Sequence, residues 1–354
     1  MSRPRYRSIT PAVPVLGASA LLIAALTWPL LFTNSGFSGD WPHHLWLIWH
    51  QSLSLRSSHF PSLFINSSFS VFNPLFAFYG GTLYALAGVM SLAMGGAPVQ
   101  AYVCIYMLDF LAALAGWYWL GRMAGVGRWL ALVPGMVFVT SAYYLMLVYV
   151  RGDWPEFTGV SMIPLMVAAS LSVMRSDRLR VLPGSALAVS TIVFFGAHNI
   201  TILLGLTMVA LTGLAALVCV PGARRQITRR GIVRVACVTV PAALVSAWYL
   251  LPAVAYQSGT QIGSNYVGKQ EVLRANAGLV SFDHLFTLSR VSAGGPSPYP
   301  FDLSLPVLAI AWVLIGIFLL AGGGNRAWVR LLAICSLLAV LVTVVMTHVG
   351  LLLA

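Results

Sequence analysis

Charge is what this chain has least of. Only 8% of its 354 residues are Asp, Glu, Lys or Arg, against about 25% in soluble globular proteins. With 59% hydrophobic residues and a mean hydropathy of +0.88, a soluble enzyme, a fibre and a disordered tail are excluded. Cysteine is nearly as scarce. Cys104, Cys219, Cys237 and Cys335 stand singly inside apolar stretches with no CxxC spacing, which suggests neither a zinc site nor a disulfide framework. Lysine is almost missing, since Lys269 is the only one and the other basic side chains are arginines. Acids are few enough to weigh one by one: Asp40, Asp109, Asp153, Glu156, Asp177, Glu271, Asp283 and Asp302. Any acid–base or metal chemistry must draw on them. HExxH, GxSxG and GxGD are all absent, which argues against an intramembrane protease.

What is present in quantity is long apolar runs. A spanning helix needs about 20 mostly apolar residues, and such stretches fall near residues 11–33, 76–95, 99–121, 128–150, 155–174, 181–197, 200–220, 232–256, 301–321 and 329–354. The net charge of +12 would suggest nucleic acid in a soluble protein. Here the arginines cluster in short connectors, as topology signals beside anionic headgroups, and no nucleic-acid partner is expected. The N-terminal arginines Arg3, Arg5 and Arg7 precede a long apolar run without a small-residue cleavage site before Asn34, which reads as an uncleaved first helix. The bias of Arg over Lys suits a GC-rich bacterial genome, with the inner membrane as the default location.

The arginine-bearing connectors are 1–7, 122–128, 175–180, 221–234 and 322–330, and positive-inside places all of them in the cytoplasm. They share a side only if 76–95 does not span. That run begins with Tyr79-Gly80-Gly81 and ends with Gly95-Gly96-Ala97-Pro98, punctuation suited to a re-entrant or interfacial piece. The expected fold is therefore all-α and polytopic, with about nine spanning helices and the N-terminus inside. Residues 1–256 would form a transmembrane module with a first outward loop at 34–98. A second outward loop would run from 257 to 300, and the last helices would lie in 301–354. From Trp41 to Leu55 the spacing predicts an interfacial helix, with Trp41, Leu45, Ile48, Trp49 and Leu53 on one apolar side and His43, His50, Gln51 and Ser54 away from it. No internal repeat or inverted symmetry is visible, which disfavours a transporter of inverted repeats.

Under this topology six of the eight acids face outward, so the extracytoplasmic side is the working face. Two copies of one tetrapeptide stand there: Gly39-Asp40-Trp41-Pro42 and Gly152-Asp153-Trp154-Pro155. Asp before Pro at the start of a helical run is an N-cap signature, and Asp153 with Glu156 makes a capping-box-like pair. Capping and catalysis do not exclude each other, because a helix N-terminus also offers free N–H groups to a phosphate. His43 and His44 lie one turn from Asp40 and read either as interfacial hydrogen-bonding groups or as metal ligands. His198-Asn199, at the turn between the fifth and sixth helices, either lines the same cavity or caps the turn. Asp109, alone in an apolar helix, reads as a structural hydrogen-bonding partner rather than a proton relay.

These segments together resemble a family. The order of Asp40-Trp41-Pro42-His43-His44-Leu45-Trp46, Phe72-Asn73-Pro74-Leu75-Phe76-Ala77-Phe78-Tyr79-Gly80, Tyr149-Val150-Arg151-Gly152-Asp153-Trp154-Pro155-Glu156-Phe157, Ala197-His198-Asn199 and Trp248-Tyr249-Leu250-Leu251-Pro252-Ala253 is similar to that of GT-C glycosyltransferases. It is closest to a poorly characterised bacterial group of GT-C-like membrane proteins, over about residues 11–300. The resemblance implies transfer of a sugar from a polyprenyl-phosphate donor to a glycan or glycolipid acceptor of the cell envelope, with Asp40 as general base. Asp153 and Glu156 match the family's second acidic motif, which in some members binds a divalent metal. An ion here (Mg, Mn or Zn) would use Asp153, Glu156 and His44, and the Asp/His mixture suits Mn or Zn better than Mg. Arg151, Lys269, Arg274 and Arg290 are the cationic candidates for the donor phosphate, against the alternative of solvated or headgroup-contacting arginines. His43, His44, His198, Asn199 and Tyr79 would line the substrate cavity. No WWD motif follows in the late loop, which argues against an N-linked oligosaccharyltransferase. The chain stops at Ala354 within an apolar run where many relatives continue, so a short member or a truncated chain is expected. The alternative class is a non-catalytic GT-C-like scaffold, or a transporter or flippase of lipid-linked saccharides.

Overall fold

The computed structural model describes residues 13–32, 39–66, 72–73, 75–219, 224 and 227–256. The chain divides into two units, one made of Met1–Gly205 with Thr228–Val254 and the other of Leu206–Ile227 with Ala255–Ala354. The expected spans 301–321 and 329–354 and the late loop 257–300 lie outside the described residues.

The first unit is helical. It comprises α1 (Val13–Phe32), α2 (Trp41–Ser58), the single turn α3 (Leu75–Phe78), α4 (Gly81–Ala93), α5 (Pro98–Met123), α6 (Val133–Val139) and α7 (Ala142–Met146), which runs into a π-helical turn at Leu147–Arg151. Then come α8 (Trp154–Arg175), α9 (Val181–Ala197), α10 (Asn199–Cys219, whose last turns belong to the second unit), α11 (Arg229–Leu244) and α12 (Ala247–Ala255). A two-residue antiparallel ladder, Ile65–Asn66 with Phe72–Asn73, is the only strand pairing among the described residues.

Among the described residues, three helices are long and apolar enough to cross a membrane: Pro14–Leu31 within α1, Pro98–Met123 and Trp154–Arg175. The number rises to five if each of two bent pairs counts as one span. The first pair corrects the single segment expected at 128–150. Val133–Val139 and Tyr143–Arg151 meet at 44°, because Ser141 takes an extended conformation (ψ 145) between them. The second corrects 232–256, where Arg229–Leu244 and Ala247–Ala255 meet at 69° around a turn at Val245 and Ser246. The run at 76–95 folds as α4, whose 13 residues rise only about 20 Å, short of a hydrocarbon core about 30 Å thick.

α5 and α8 cross with their backbones close together. A Cβ on Gly116 would lie 2.3 Å from the Leu165 nitrogen, so only glycine admits the approach. Above that crossing the interior is aromatic: Tyr84, Tyr102, Tyr106, Phe110, Tyr144, Trp154 and Phe157 are all buried. Edge-to-face and tilted neighbours, such as Phe110 against Phe157 at 5.1 Å and Tyr84 against Trp154 at 5.4 Å, are the arrangement ring quadrupoles favour. Asp109 is buried in this interior and accepts a hydrogen bond from Thr158 Oγ1 at 2.6 Å, tying α5 to α8. Outward, the described surface carries exposed Leu21, Val181, Leu203 and Leu214, the inversion of polarity that a lipid solvent permits.

The interfacial helix forms where expected, but its buried face draws on both expected sides. His44, Leu47, Ile48, Gln51 and Ser52 point inward, while Trp46, Trp49 and Leu53 are exposed. The polar residues are tolerated inside because each finds a partner. His44 bonds Tyr84, and Gln51 bonds Ser62 twice, Nε2 to its carbonyl at 2.7 Å and Oε1 from its N–H at 3.0 Å. Of the expected apolar side, Ile48 is buried and Trp41 and Leu45 pack on the core, while Trp49 and Leu53 stay exposed.

Candidate functional site

The two Gly-Asp-Trp-Pro copies start α2 and α8 in the same way. Gly39 and Gly152 turn the chain with φ of 65° and 66°, a conformation glycine takes freely. Asp40 and Asp153 follow as N-cap residues, with proline in the first helical turn. The two turns are bonded to each other, the N–H of Asp40 donating to the carbonyl of Arg151 at 2.8 Å. A Cβ on Gly39 would lie 1.9 Å from that same oxygen. Glycine is thus required at 39 both by its φ and by the touching backbones.

Two similar motifs hold their carboxylates differently. Asp153 is a working cap: its Oδ1 accepts from the Glu156 N–H at 3.2 Å. Its Oδ2 takes Arg151 Nη2 at 2.7 Å, and Arg151 Nη1 reaches Glu156 Oε2 at 3.1 Å, so one guanidinium spans two carboxylates. Tyr143 donates its hydroxyl to Glu156, and Tyr79 lies 3.5 Å from Asp153 Oδ1. Burial, and then the Glu156 charge, push the Asp153 carboxyl up to about 7, outweighing the Arg151 cation. Asp40 is exposed, caps no amide of α2 and has no side-chain hydrogen bond to a described residue. The Asp40 charge is felt by His43 and Tyr79, whose titrations it opposes or reinforces beneath the larger effect of burial.

Behind these acids stands a neutral aromatic wall. His44 is fully buried, its Nδ1 is 2.5 Å from the Tyr84 hydroxyl, and burial lowers its pKa to about 3. The Tyr79 ring stacks on His44 (6.1 Å between centroids, 12°) and meets the edge of His198 at 5.6 Å and 88°. Tyr79 itself is raised well above the ordinary phenol range, by burial first and the Asp153 charge second, so it is a hydroxyl donor and not a base.

The remaining segments close on the same place. Asn199 Nδ2 donates to the Phe78 carbonyl at 3.0 Å, and Tyr249 OH donates to Phe195 O at 2.5 Å beside Asn199 Oδ1 at 3.5 Å. Trp248 Nε1 donates to Thr82 Oγ1 at 3.0 Å. Gly80 and Gly81 let the turn before α4 touch Ala197 O and the Tyr249 side chain, since a Cβ on either would lie under 3.0 Å from those atoms. His198 therefore faces Tyr79, with Nδ1 on Thr201 Oγ1 at 2.9 Å, whereas Asn199 fastens the turn. Of the residues named from the sequence, Asp40, Tyr79, His43, His44, Arg151, Asp153, Glu156, His198 and Asn199 gather here. Lys269, Arg274 and Arg290 lie outside the described residues. Tyr84, Tyr143 and Thr201 were missed, and Tyr249 was noted only within a motif; a hydroxyl inside an apolar run carries no signal that separates a hydrogen-bonding partner from belt or core.

The donor set expected for a divalent ion does not assemble. Among the described residues no three His, Cys, Asp or Glu side chains converge. The carboxylates of Asp153 and Glu156 are drawn to Arg151, and His44 gives its Nδ1 to Tyr84 deep behind them. A groove of about 650 Å³ lined by His50, Leu53, Ser54, Arg56 and Ser57 lies further along α2. The rings of His43, Trp46 and His50 run from the first turn of α2 to this groove, with centroids 6.5 and 5.8 Å apart.

No family model matches this chain, and neither a curated protein nor a solved structure matches it. Over the described residues, its apolar helices make it a helical, membrane-embedded protein.

Proposed function

We propose that this protein is a GT-C-type glycosyltransferase of a bacterial inner membrane. It would move a sugar from a polyprenyl-phosphate donor to an envelope glycan or glycolipid on the extracytoplasmic face, with the N-terminus in the cytoplasm. The observation that carries the reading is the bond from Asp40 N–H to Arg151 O. It fixes an exposed carboxylate with no described hydrogen-bond partner beside a cluster that holds a guanidinium.

The chemistry divides along that line. Asp40 accepts the proton of the acceptor hydroxyl as its oxygen attacks the anomeric carbon from the face opposite the phosphate. The bond from that carbon to the phosphate oxygen breaks, the phosphate leaves with the electron pair, and the configuration inverts. The departing charge needs a cation, and Arg151 is the described one. With Asp153 protonated part of the time near neutral pH, the Arg151–Asp153–Glu156 group carries no net charge instead of an excess of one negative. Lys269, Arg274 and Arg290 are proposed as further phosphate contacts. The rings of His43, Trp46 and His50 offer a stacking path for the acceptor.

The test is purified protein in nanodiscs with radiolabelled polyprenyl-phosphate sugars and an envelope lipid extract, comparing wild type with Asp40→Asn. Transfer that Asp40→Asn abolishes in a folded protein supports the reading. A second reading, a non-catalytic scaffold or a transporter of lipid-linked saccharides, is favoured by one observation: the Arg151 guanidinium is already shared between two carboxylates. It prevails if no donor reacts and Asp40→Asn complements as well as wild type.

A further inference from the structure

At the opposite end of α8 from Asp153, the molecule carries a second concentration of charge, in which arginines outnumber the single acid Asp177. α8 ends in Arg175, the following turn holds Asp177, Arg178 and Arg180, and α11 opens with Arg229 and Arg230. The two elements are fastened together there. Arg234 gives Nη2 to Met174 O at 3.4 Å and Nη1 to Asp177 O at 3.3 Å, and Gly231 approaches so closely that a Cβ would lie 2.7 Å from Met174 O. Arg234 is therefore occupied with one of the last carbonyls of α8 and with one in the turn that follows it. Arg178, Arg180, Arg229 and Arg230 are exposed, and none makes an ion pair among the described residues. The nearby acid, Asp177, is exposed as well.

The helix continues in a way that a solvated basic face does not. Arg230, Val233, Cys237, Val240 and Leu244 recur at helical spacing and are all exposed, so a cationic head is followed by an apolar stripe down one side of α11. A small phosphate or a nucleic acid would use the arginines and leave the stripe bare. A headgroup with its acyl chain uses both.

We propose that the start of α11 is a binding site for an anionic phospholipid. Arg229 and Arg230 hold the headgroup phosphate, Arg178 and Arg180 flank it, and an acyl chain lies along Val233, Cys237, Val240 and Leu244. This site is separate from the Asp40 cluster and does not depend on glycosyl transfer.

Native mass spectrometry of the full chain with cardiolipin, phosphatidylcholine and inorganic phosphate as probes tests it. Cardiolipin should be retained in preference to phosphatidylcholine, and Arg229→Gln with Arg230→Gln should weaken retention about 30-fold, on the ordinary attraction of two interfacial arginines. Arg122→Gln with Arg128→Gln removes the same charge from another connector and should leave retention close to wild type. Val240→Asp, placed on the stripe, should weaken cardiolipin without altering the arginines. Equal loss in the two arginine pairs would reduce the site to diffuse attraction and overturn it. So would displacement of cardiolipin by inorganic phosphate alone, or undiminished binding in Val240→Asp.

Discussion

Asp40 and Arg151 are joined through their backbones, N–H to carbonyl at 2.8 Å, although 111 positions of sequence separate them (151 − 40). This bond aligns the starts of α2 and α8, and several consequences are measurable.

Gly39 touches that bond directly. Gly39→Ala must place a methyl 1.9 Å from Arg151 O in a backbone of φ +65°, and a loss of about 3 kcal/mol is expected from strain and overpacking together. Gly95→Ala, with φ +77° and open space around it, bears the strain alone, about 1 kcal/mol. Thermal unfolding in detergent compares them, and equal shifts would refute the touching backbones.

The two aspartates should separate activity from stability. Asp40→Asn leaves the melting temperature where it was, because no described bond is lost, and lowers transfer about 10²–10⁴-fold, the usual contribution of a general base. Asp153→Ala removes a cap and the Arg151 partner, and costs about 1–2 kcal/mol for the cap alone. Paired melting and transfer assays read both. An unstable Asp40→Asn would show that its carboxylate is structural.

The pH dependence of stability follows from Asp153. Its folded pKa, near 7, lies above the ordinary 3.8, so between those values the folded state binds more protons than the unfolded one. Its contribution is complete below about pH 4 and is lost as pH rises through about 7. Melting temperatures should therefore fall from pH 5 to pH 8 by more in wild type than in Asp153→Asn. The same slope in both proteins would place the titration elsewhere.

Inside the bundle, Thr158→Val leaves the buried Asp109 carboxyl without its 2.6 Å donor. A loss of about 1–3 kcal/mol is expected. Asp109→Asn, which can still accept from Thr158, should be milder. A Thr158→Val protein as stable as wild type would mean that Asp109 finds another partner.

How much of this is legible in the residues varies from element to element. The paired Gly-Asp-Trp-Pro starts are, because positive-φ glycine, capping acid and first-turn proline are local requirements that the chain states in four letters. The sequence left His198-Asn199 open between lining the same cavity and capping the turn, and placed Tyr79 there only through family resemblance; in the fold His198 faces Tyr79 and Asn199 fastens the turn. The buried face of α2 was legible only in part: Ile48 is buried and Trp41 and Leu45 pack on the core, but His44 and Gln51 also turn inward, where Tyr84 and Ser62 receive them.

The sequence by itself determined that this is a helical membrane protein with few acids, since composition and apolar run length depend on solvent, not on contacts. It also placed a helix start at both tetrapeptides. Only the tertiary structure decided that Asp153 is a bonded cap and Asp40 is not. Capping, ion pairing and proton affinity depend on which groups approach and how far they are buried: Asp153 finds Arg151 and the Glu156 N–H within its own turn, with Tyr79 from a distant segment at 3.5 Å, in a buried corner that the exposed Asp40 does not share.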